Sequence, residues 1–167
     1  MTLLVLSDTH GRRDRVREVL SLHPEASAVL FLGDGLRDLP EELCLSERPR
    51  LYAVSGNCDL FSTGGASLGE EALLPFDTHR FLLTHGHRYG VKSGTGVALA
   101  HAAARGADVL LYGHTHMPEE RYVPADGMEK PMWIFNPGSL GAPVTGKPSY
   151  GLIQLRGGQI LFSHGSL

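Results

Sequence analysis

Five short apolar runs, and the residues that follow each of them, constrain this chain more than any other feature. The runs are TLLVLS (2–7), AVLFLG (28–33), RLYAVSG (50–56), RFLLTHG (80–86) and DVLLYG (108–113). Stretches this short and this uniformly apolar fit strands buried on both faces, as parallel strands covered by helices are. Each run then stops at a polar cluster: Ser7-Asp8-Thr9-His10, Gly33-Asp34, Gly56-Asn57-Cys58-Asp59, Thr84-His85-Gly86-His87 and Gly113-His114-Thr115-His116. In open α/β sheets the carboxyl ends of the strands form one rim, where ligands bind. Five separate segments are therefore expected to deliver their polar ends to one place.

Between the runs lie segments with helical spacing. RDRVREVLSLH (13–23) places Val16, Val19 and Leu20 on one face, GLRDLPEELCL (35–45) reads as a shorter helix, and TGVALAHAAARGA (95–107) is alanine-rich with Gly106 as its C-cap. After residue 116 the pattern changes to hairpins. PADG (124–127) separates RYV from PMWIF, and RGG (156–158) separates YGLIQL from QILFSH. Early βα alternation followed by late meanders predicts two sheets packed face to face with helices outside. The 167 residues, 42% hydrophobic and 20% charged, have ordinary globular composition and read as one domain, 1–167. Of two glycine-rich loops, SGTG (93–96) and FSTGGASLG (61–69), the second is the better candidate for a wall or lid over a site.

Several function classes are disfavoured. No run approaches the ~18–20 apolar residues of a membrane helix, and MTLLVLSDTHG has neither a basic leader nor a cleavage site, so a cytoplasmic protein with no membrane partner is expected. Cys44 and Cys58 form no paired motif, which fits a reducing compartment; Cys44, after Leu43, reads as core. A formal charge of -3 argues against general nucleic-acid binding. GRRDRVRE (11–18) reads as a solvated helix face, with Arg12 alone kept as a candidate ligand contact.

The rim collects Asp8, His10, Asp34, Asn57, His85, His114 and His116. Crowding carboxylates and imidazoles there is costly unless something cationic offsets them, and divalent metal ions take nitrogen and oxygen donors of this kind. The Asp8-x-His10 and His114-x-His116 spacings point both members of each pair to the same side of an extended chain, and Gly113 allows close backbone approach. Seven ligands exceed what one ion with open positions needs but suit two ions about 3.5–4 Å apart sharing a carboxylate. Asp34, alone in its motif, is the natural bridge. Two divalent ions, two carboxylates and a hydroxide carry a charge of about +1, which attracts a phosphoryl group.

In order and spacing these motifs resemble those of the calcineurin-like metallophosphoesterases, in the branch of small bacterial and archaeal phosphodiesterases. That branch also shows Asn136-Pro137-Gly138-Ser139 and Ser149-Tyr150-Gly151, and the resemblance covers nearly the whole chain. It implies an α/β fold, a four-layer α/β/β/α sandwich of two packed mixed sheets flanked by helices. It also implies two divalent ions, manganese first, with nickel, iron or zinc as alternatives. Carried over by residue, Asp8, His10, Asp34 and His116 hold the first ion, and Asp34, Asn57, His85 and His114 the second. The implied activity is hydrolysis of a small phosphodiester by attack of a metal-bridging hydroxide.

Cys58 stands where many members have a histidine that protonates the leaving group. A thiol is a weaker acid than an imidazolium, so this proton transfer is weak or falls to His87 or a water. Asp59 is expected to orient Asn57 or tie down the loop, and Asn136 to brace a ligand within a tight turn. The alternatives are a phosphomonoesterase and a non-catalytic interaction scaffold on the same fold, as in the retromer subunit that resembles this family. A homodimer is implied only by family analogy.

Overall fold

The computed structural model describes residues 1–59, 68–125 and 128–167. Most of the FSTGGASLG loop, and Asp126 and Gly127 of PADG, thus lie outside the described residues. In chain order the first elements are β1 (Thr2–Leu6), α1 (Arg13–Leu22), β2 (Ala28–Phe31), α2 (Glu41–Cys44) and β3 (Arg50–Ala53). Next come β4 (Glu71–Phe76), β5 (His79–Thr84), α3 (Gly96–Ala104) and β6 (Val109–Leu111). The strands β7 (Pro118–Val123), β8 (Met132–Pro137), β9 (Ser149–Arg156) and β10 (Gln159–Ser166) complete the fold.

Two five-stranded sheets result, ordered β10-β9-β1-β2-β3 and β4-β5-β6-β8-β7. In the first, β1, β2 and β3 are parallel and the β9–β10 hairpin adds antiparallel to β1. In the second, β5, β6 and β8 are parallel, with β4 and β7 antiparallel at the edges. Alternate residues explain the layers. Leu3, Val5 and Leu30 of the first sheet pack against Phe81, Leu83, Leu111 and Phe135 of the second. Leu4, Leu6 and Phe31 face outward onto Val16 and Val19 of α1, and Leu82, Leu110 and Ile134 face outward onto Ala98 and Ala102 of α3. This is the four-layer α/β/β/α arrangement, with both strand faces covered as the uniformly apolar runs required. Each fully buried leucine contributes about 1.5–3 kcal/mol of transfer free energy.

Local chemistry accounts for the boundaries. Gly106, at φ 68°, ends α3 with N–H bonds from Gly106 to the Ala103 carbonyl and from Ala107 to the Ala102 carbonyl, a Schellman motif. Gly157 and Gly158, both at positive φ, form the two-residue turn between β9 and β10. The helix expected over 35–45 contracts to a single 3-10 turn, Leu36–Asp38, and the four-residue α2, because Pro40 between them holds an extended backbone. So short a helix buries Leu43 but leaves Cys44 exposed, contrary to the core reading. β4 was not foreseen; its Pro75 is tolerated because the strand lies on a sheet edge. Among the described residues no helix is long and apolar enough to cross a membrane.

Candidate metal centre

The polar clusters after β1, β2, β5 and β6 converge. Asp8, fully buried just beyond β1, accepts hydrogen bonds at Oδ2 from the Ser7 hydroxyl (2.5 Å) and the His114 backbone N–H (3.0 Å). Its other oxygen, Oδ1, is buried without a hydrogen-bond partner. That oxygen lies 3.1 Å from Nε2 of His116, 3.7 Å from Nε2 of His10 and 3.9 Å from Nε2 of His85.

Two of these rings have their tautomers fixed. Nδ1 of His116 lies 2.7 Å from the Ala142 carbonyl, and Nδ1 of His85 lies 2.7 Å from the Leu32 carbonyl. A carbonyl only accepts, so each Nδ1 carries the hydrogen, and each neutral ring turns the Nε2 lone pair toward the carboxylates. Nε2 of His10 sits 3.2 Å from Nε2 of His116, and Nδ1 of His114 sits 3.2 Å from Nε2 of His85. Ring nitrogens this close require a proton or a metal ion between their lone pairs.

Asp34 faces both ring pairs. Its Oδ1 accepts the Cys58 backbone N–H at 2.8 Å, while Oδ2 lies 3.4 Å from Nε2 of His85 and 3.9 Å from Nε2 of His10. Two donor groups follow, Asp8-His10-His116 and Asp34-His85-His114, each with its ligand atoms within 4.8 Å of one another. A third combines His10, Asp34 and Cys58. Buried carboxylate, fixed tautomers and mixed nitrogen and oxygen donors fit divalent cations.

Electrostatics agree with that fit. Burial pushes the Asp8 carboxyl up, but the facing imidazoles of His10, His116 and His85 outweigh it and hold the group well below the usual carboxylate range. Burial likewise opposes, and His85 and Cys58 overcome, a shift that brings Asp34 down to about 2. His114 is pushed down to about 4, first by burial and then by repulsion from His85 and Lys92. His116 is raised by its contact with Asp8, and His85 is raised by Asp34 and Asp8 against the effect of burial.

The backbone here is strained. Asp8, His10, Asp34, His114 and His116 are five of the six non-glycine residues with positive φ among the described residues. Such conformations cost of order 1 kcal/mol or more each and gather where a site over-determines them. The extended-chain argument for the Asp-x-His and His-x-His pairs therefore does not hold. β1 ends at Leu6 and β6 at Leu111, and left-handed turns aim both members of each pair inward. Close packing demands glycine nearby: a Cβ on Gly113 would stand 2.0 Å from the Ser7 hydroxyl and 2.9 Å from Oδ2 of Asp8.

The remaining candidates occupy different places. The buried carboxylate of Asp59 accepts four backbone N–H bonds, from Asp34 (2.7 Å), Gly35 (2.9 Å), Leu36 (3.0 Å) and Gly56 (2.9 Å). It is thus a positioning residue that ties the loop after β2 to the loop after β3. Asn57 is exposed, with Nδ2 3.3 Å from the Cys58 sulfur. Cys58, also exposed, has its thiol pushed up to about 11 by partial desolvation and the neighbouring carboxylates. The His87 ring lies 5.4 Å from that of His85, has a buried Nδ1 without a partner, and is pushed down by burial and by His85. Arg12 is engaged with Asp14 at 2.8 Å on the exposed side of the chain rather than with the cluster.

Other supports come from outside the ligand motifs. Ser139 donates to the Asp8 carbonyl (2.8 Å), Asp38 accepts from the Thr9 hydroxyl (2.5 Å), and Arg15 reaches the Leu140 carbonyl (2.6 Å). Asn136 does brace a ligand loop: Nδ2 donates to the Gly113 carbonyl (3.1 Å) and the Thr115 hydroxyl (3.0 Å), while Oδ1 accepts from Gly138.

The chain is similar to known proteins. The family model of the calcineurin-like phosphoesterase superfamily domain matches residues 1–158. The phosphodiesterase YfcE of Escherichia coli K12 is 33% identical, over 92% of this chain and 87% of its own length. A solved structure from Streptococcus pneumoniae TIGR4, described as a predicted phosphoesterase, superposes with a TM-score of 0.78 at 23% identity, covering 99% of this chain and 88% of that one. Vps29 of Chaetomium thermophilum superposes at 0.72 with 21% identity, covering 100% and 95%. At those identities the two structures show the shared fold.

Proposed function

This chain belongs to the calcineurin-like phosphoesterase superfamily and is a metal-dependent phosphoesterase, and we propose that it hydrolyses small phosphodiesters at a centre of two divalent ions. The observation that carries the reading is the unpartnered, buried Oδ1 of Asp8 among imidazole nitrogens, with Asp34 facing both ring pairs. In the proposed assignment Asp8, His10, Asp34 and His116 hold one ion and Asp34, Asn57, His85 and His114 the other. Manganese is the first candidate. When bound, such ions neutralise charge on the phosphoryl oxygens and provide a hydroxide nucleophile at neutral pH.

The chain's own residues do the rest. Asp8 and Asp34 stay ionised at neutral pH, and the Nδ1 bonds of His85 and His116 to backbone carbonyls hold both rings with Nε2 toward the carboxylates, so the donor set is oriented before any ligand arrives. His87, pushed toward its neutral form, is poorly suited to protonate a leaving group. The Cys58 thiol keeps its proton at neutral pH and stands beside His10 and Asp34, so it or solvent delivers the proton. This favours diesters with good leaving groups. The YfcE relative is named a phosphodiesterase, which supports the diester reading.

The test is hydrolysis of a chromogenic aryl phosphodiester and the matching monoester by chelator-stripped protein, with and without manganese. Diester turnover that appears only with metal and exceeds monoester turnover is expected. Faster monoester turnover would make the chain a phosphomonoesterase, and metal binding without turnover of either ester would favour a scaffold, as the Vps29-like fold allows.

A further inference from the structure

A cavity of about 720 Å³ lies beside the metal centre, between residues 91–95 leading into α3 and residues 115–119 leaving the histidine pair. That volume falls within the ~300–1,000 Å³ of small-molecule sites. Thr115, between His114 and His116, lines it, and Val144 on its wall donates its backbone N–H to the His116 carbonyl at 3.4 Å. The cavity therefore shares a wall with the imidazole cluster.

Its two sides differ in chemistry. Met117 and Val144 are 49% and 60% exposed, large apolar side chains left facing solvent at the edge of a charged centre. Opposite them, Lys92 has no carboxylate in ion-pair contact among the described residues. Glu119, the acid lining the cavity, is already held by Arg121 at 2.9 Å and by the Tyr112 hydroxyl. Methionine sulfur and a nearby ammonium both favour aromatic partners.

We propose that this cavity is the subsite for the second ester group of the substrate, with a planar aromatic substituent packed on Met117 and Val144 and the Lys92 ammonium on a phosphoryl oxygen. The inference rests on the phosphodiesterase reading and deepens it, narrowing the substrate to diesters that carry an aryl ring or nucleobase.

Binding of phenylphosphonate and methylphosphonate to manganese-loaded protein, measured by calorimetry, tests it directly. A preference of about tenfold for the phenyl compound is expected from the apolar area the ring covers. The double variant Met117→Ser/Val144→Ser should bring the ratio near one, and Leu161→Ser, on the exposed edge of β10, should leave it unchanged. Lys92→Met should weaken both ligands about equally. An unchanged ratio in the double variant, or no preference in the native chain, overturns the subsite.

Hydrolysis of phenyl and methyl p-nitrophenyl phosphate in parallel separates the two claims. Turnover of both with no phosphonate preference sinks the subsite and leaves the diesterase. A phosphonate preference that the double variant removes, without turnover of either diester, sinks the diesterase and leaves the subsite. Neither binding nor turnover overturns both.

Discussion

Asp59→Asn removes a charge while keeping the shape of a side chain that holds two loops together. Oδ1 accepts from Gly35 and Leu36, and Oδ2 from Asp34 and Gly56. An amide offers one oxygen, so the variant keeps at most two of the four bonds and turns an NH2 toward two backbone donors. Hydrogen bonds to a charged acceptor are worth about 1.5–3 kcal/mol each, so losing two at a buried site predicts a loss of about 3–6 kcal/mol. For a chain of this size that lowers Tm by about 10 °C. The assay is urea unfolding of native and variant chains with metal removed, so that ion binding does not enter. A loss below about 1 kcal/mol would refute the assignment of Asp59 as the tie between these loops. Because Asp34 N–H is one of the four donors, the variant should also bind metal more weakly.

Gly113→Ala should be poorly tolerated, because its Cβ would meet Ser7 and Asp8; an overpacking loss of about 1–3 kcal/mol with weakened metal binding is expected, checked by unfolding and metal titration. Glu71 joins Tyr89, His101 and Arg105, and these partners, Tyr89 first, hold its carboxyl below the ordinary value of 4.5. Since the folded pKa is depressed, this stabilisation is complete above 4.5 and is lost as pH falls through the folded value. Glu71→Gln should therefore lower stability at pH 7, by less than about 1 kcal/mol at this part-exposed cluster, and by progressively less as pH falls below 4.5. A loss that stays the same as pH falls below 4.5 in urea unfolding would contradict the electrostatic account.

Much of this architecture is legible in the chain because buried strands and helix faces are written in local apolar pattern. TLLVLS, AVLFLG and DVLLYG became central strands, and Val16 and Val19 became the buried face of α1. β4 has little local signal because EALLPF is half-buried, sits on an edge and carries Pro75. At the site, ligand types and spacing locate Asp8, His10, Asp34, His85, His114 and His116. The left-handed backbone of all of these but His85 does not show, since only a small share of aspartates and histidines adopt it and nothing local marks which ones do. The supports are less legible still. Ser139 to Asp8 and Arg15 to Leu140 join residues more than a hundred positions apart, and no local pattern encodes such bonds. Asp59 read as a residue that orients Asn57 or ties down the loop, and only its four N–H partners give it the second role.

The measurement that bears most directly on the centre is metal stoichiometry: manganese titrated by calorimetry into chelator-stripped native chain and into Asp34→Ala, with bound metal counted by elemental analysis. Two ions per native chain and at most one, weakly held, in the variant are expected if Asp34 faces both donor groups as a bridge. A native chain that binds no more than one ion, or a variant that still binds two as tightly, would contradict a dinuclear centre bridged by Asp34.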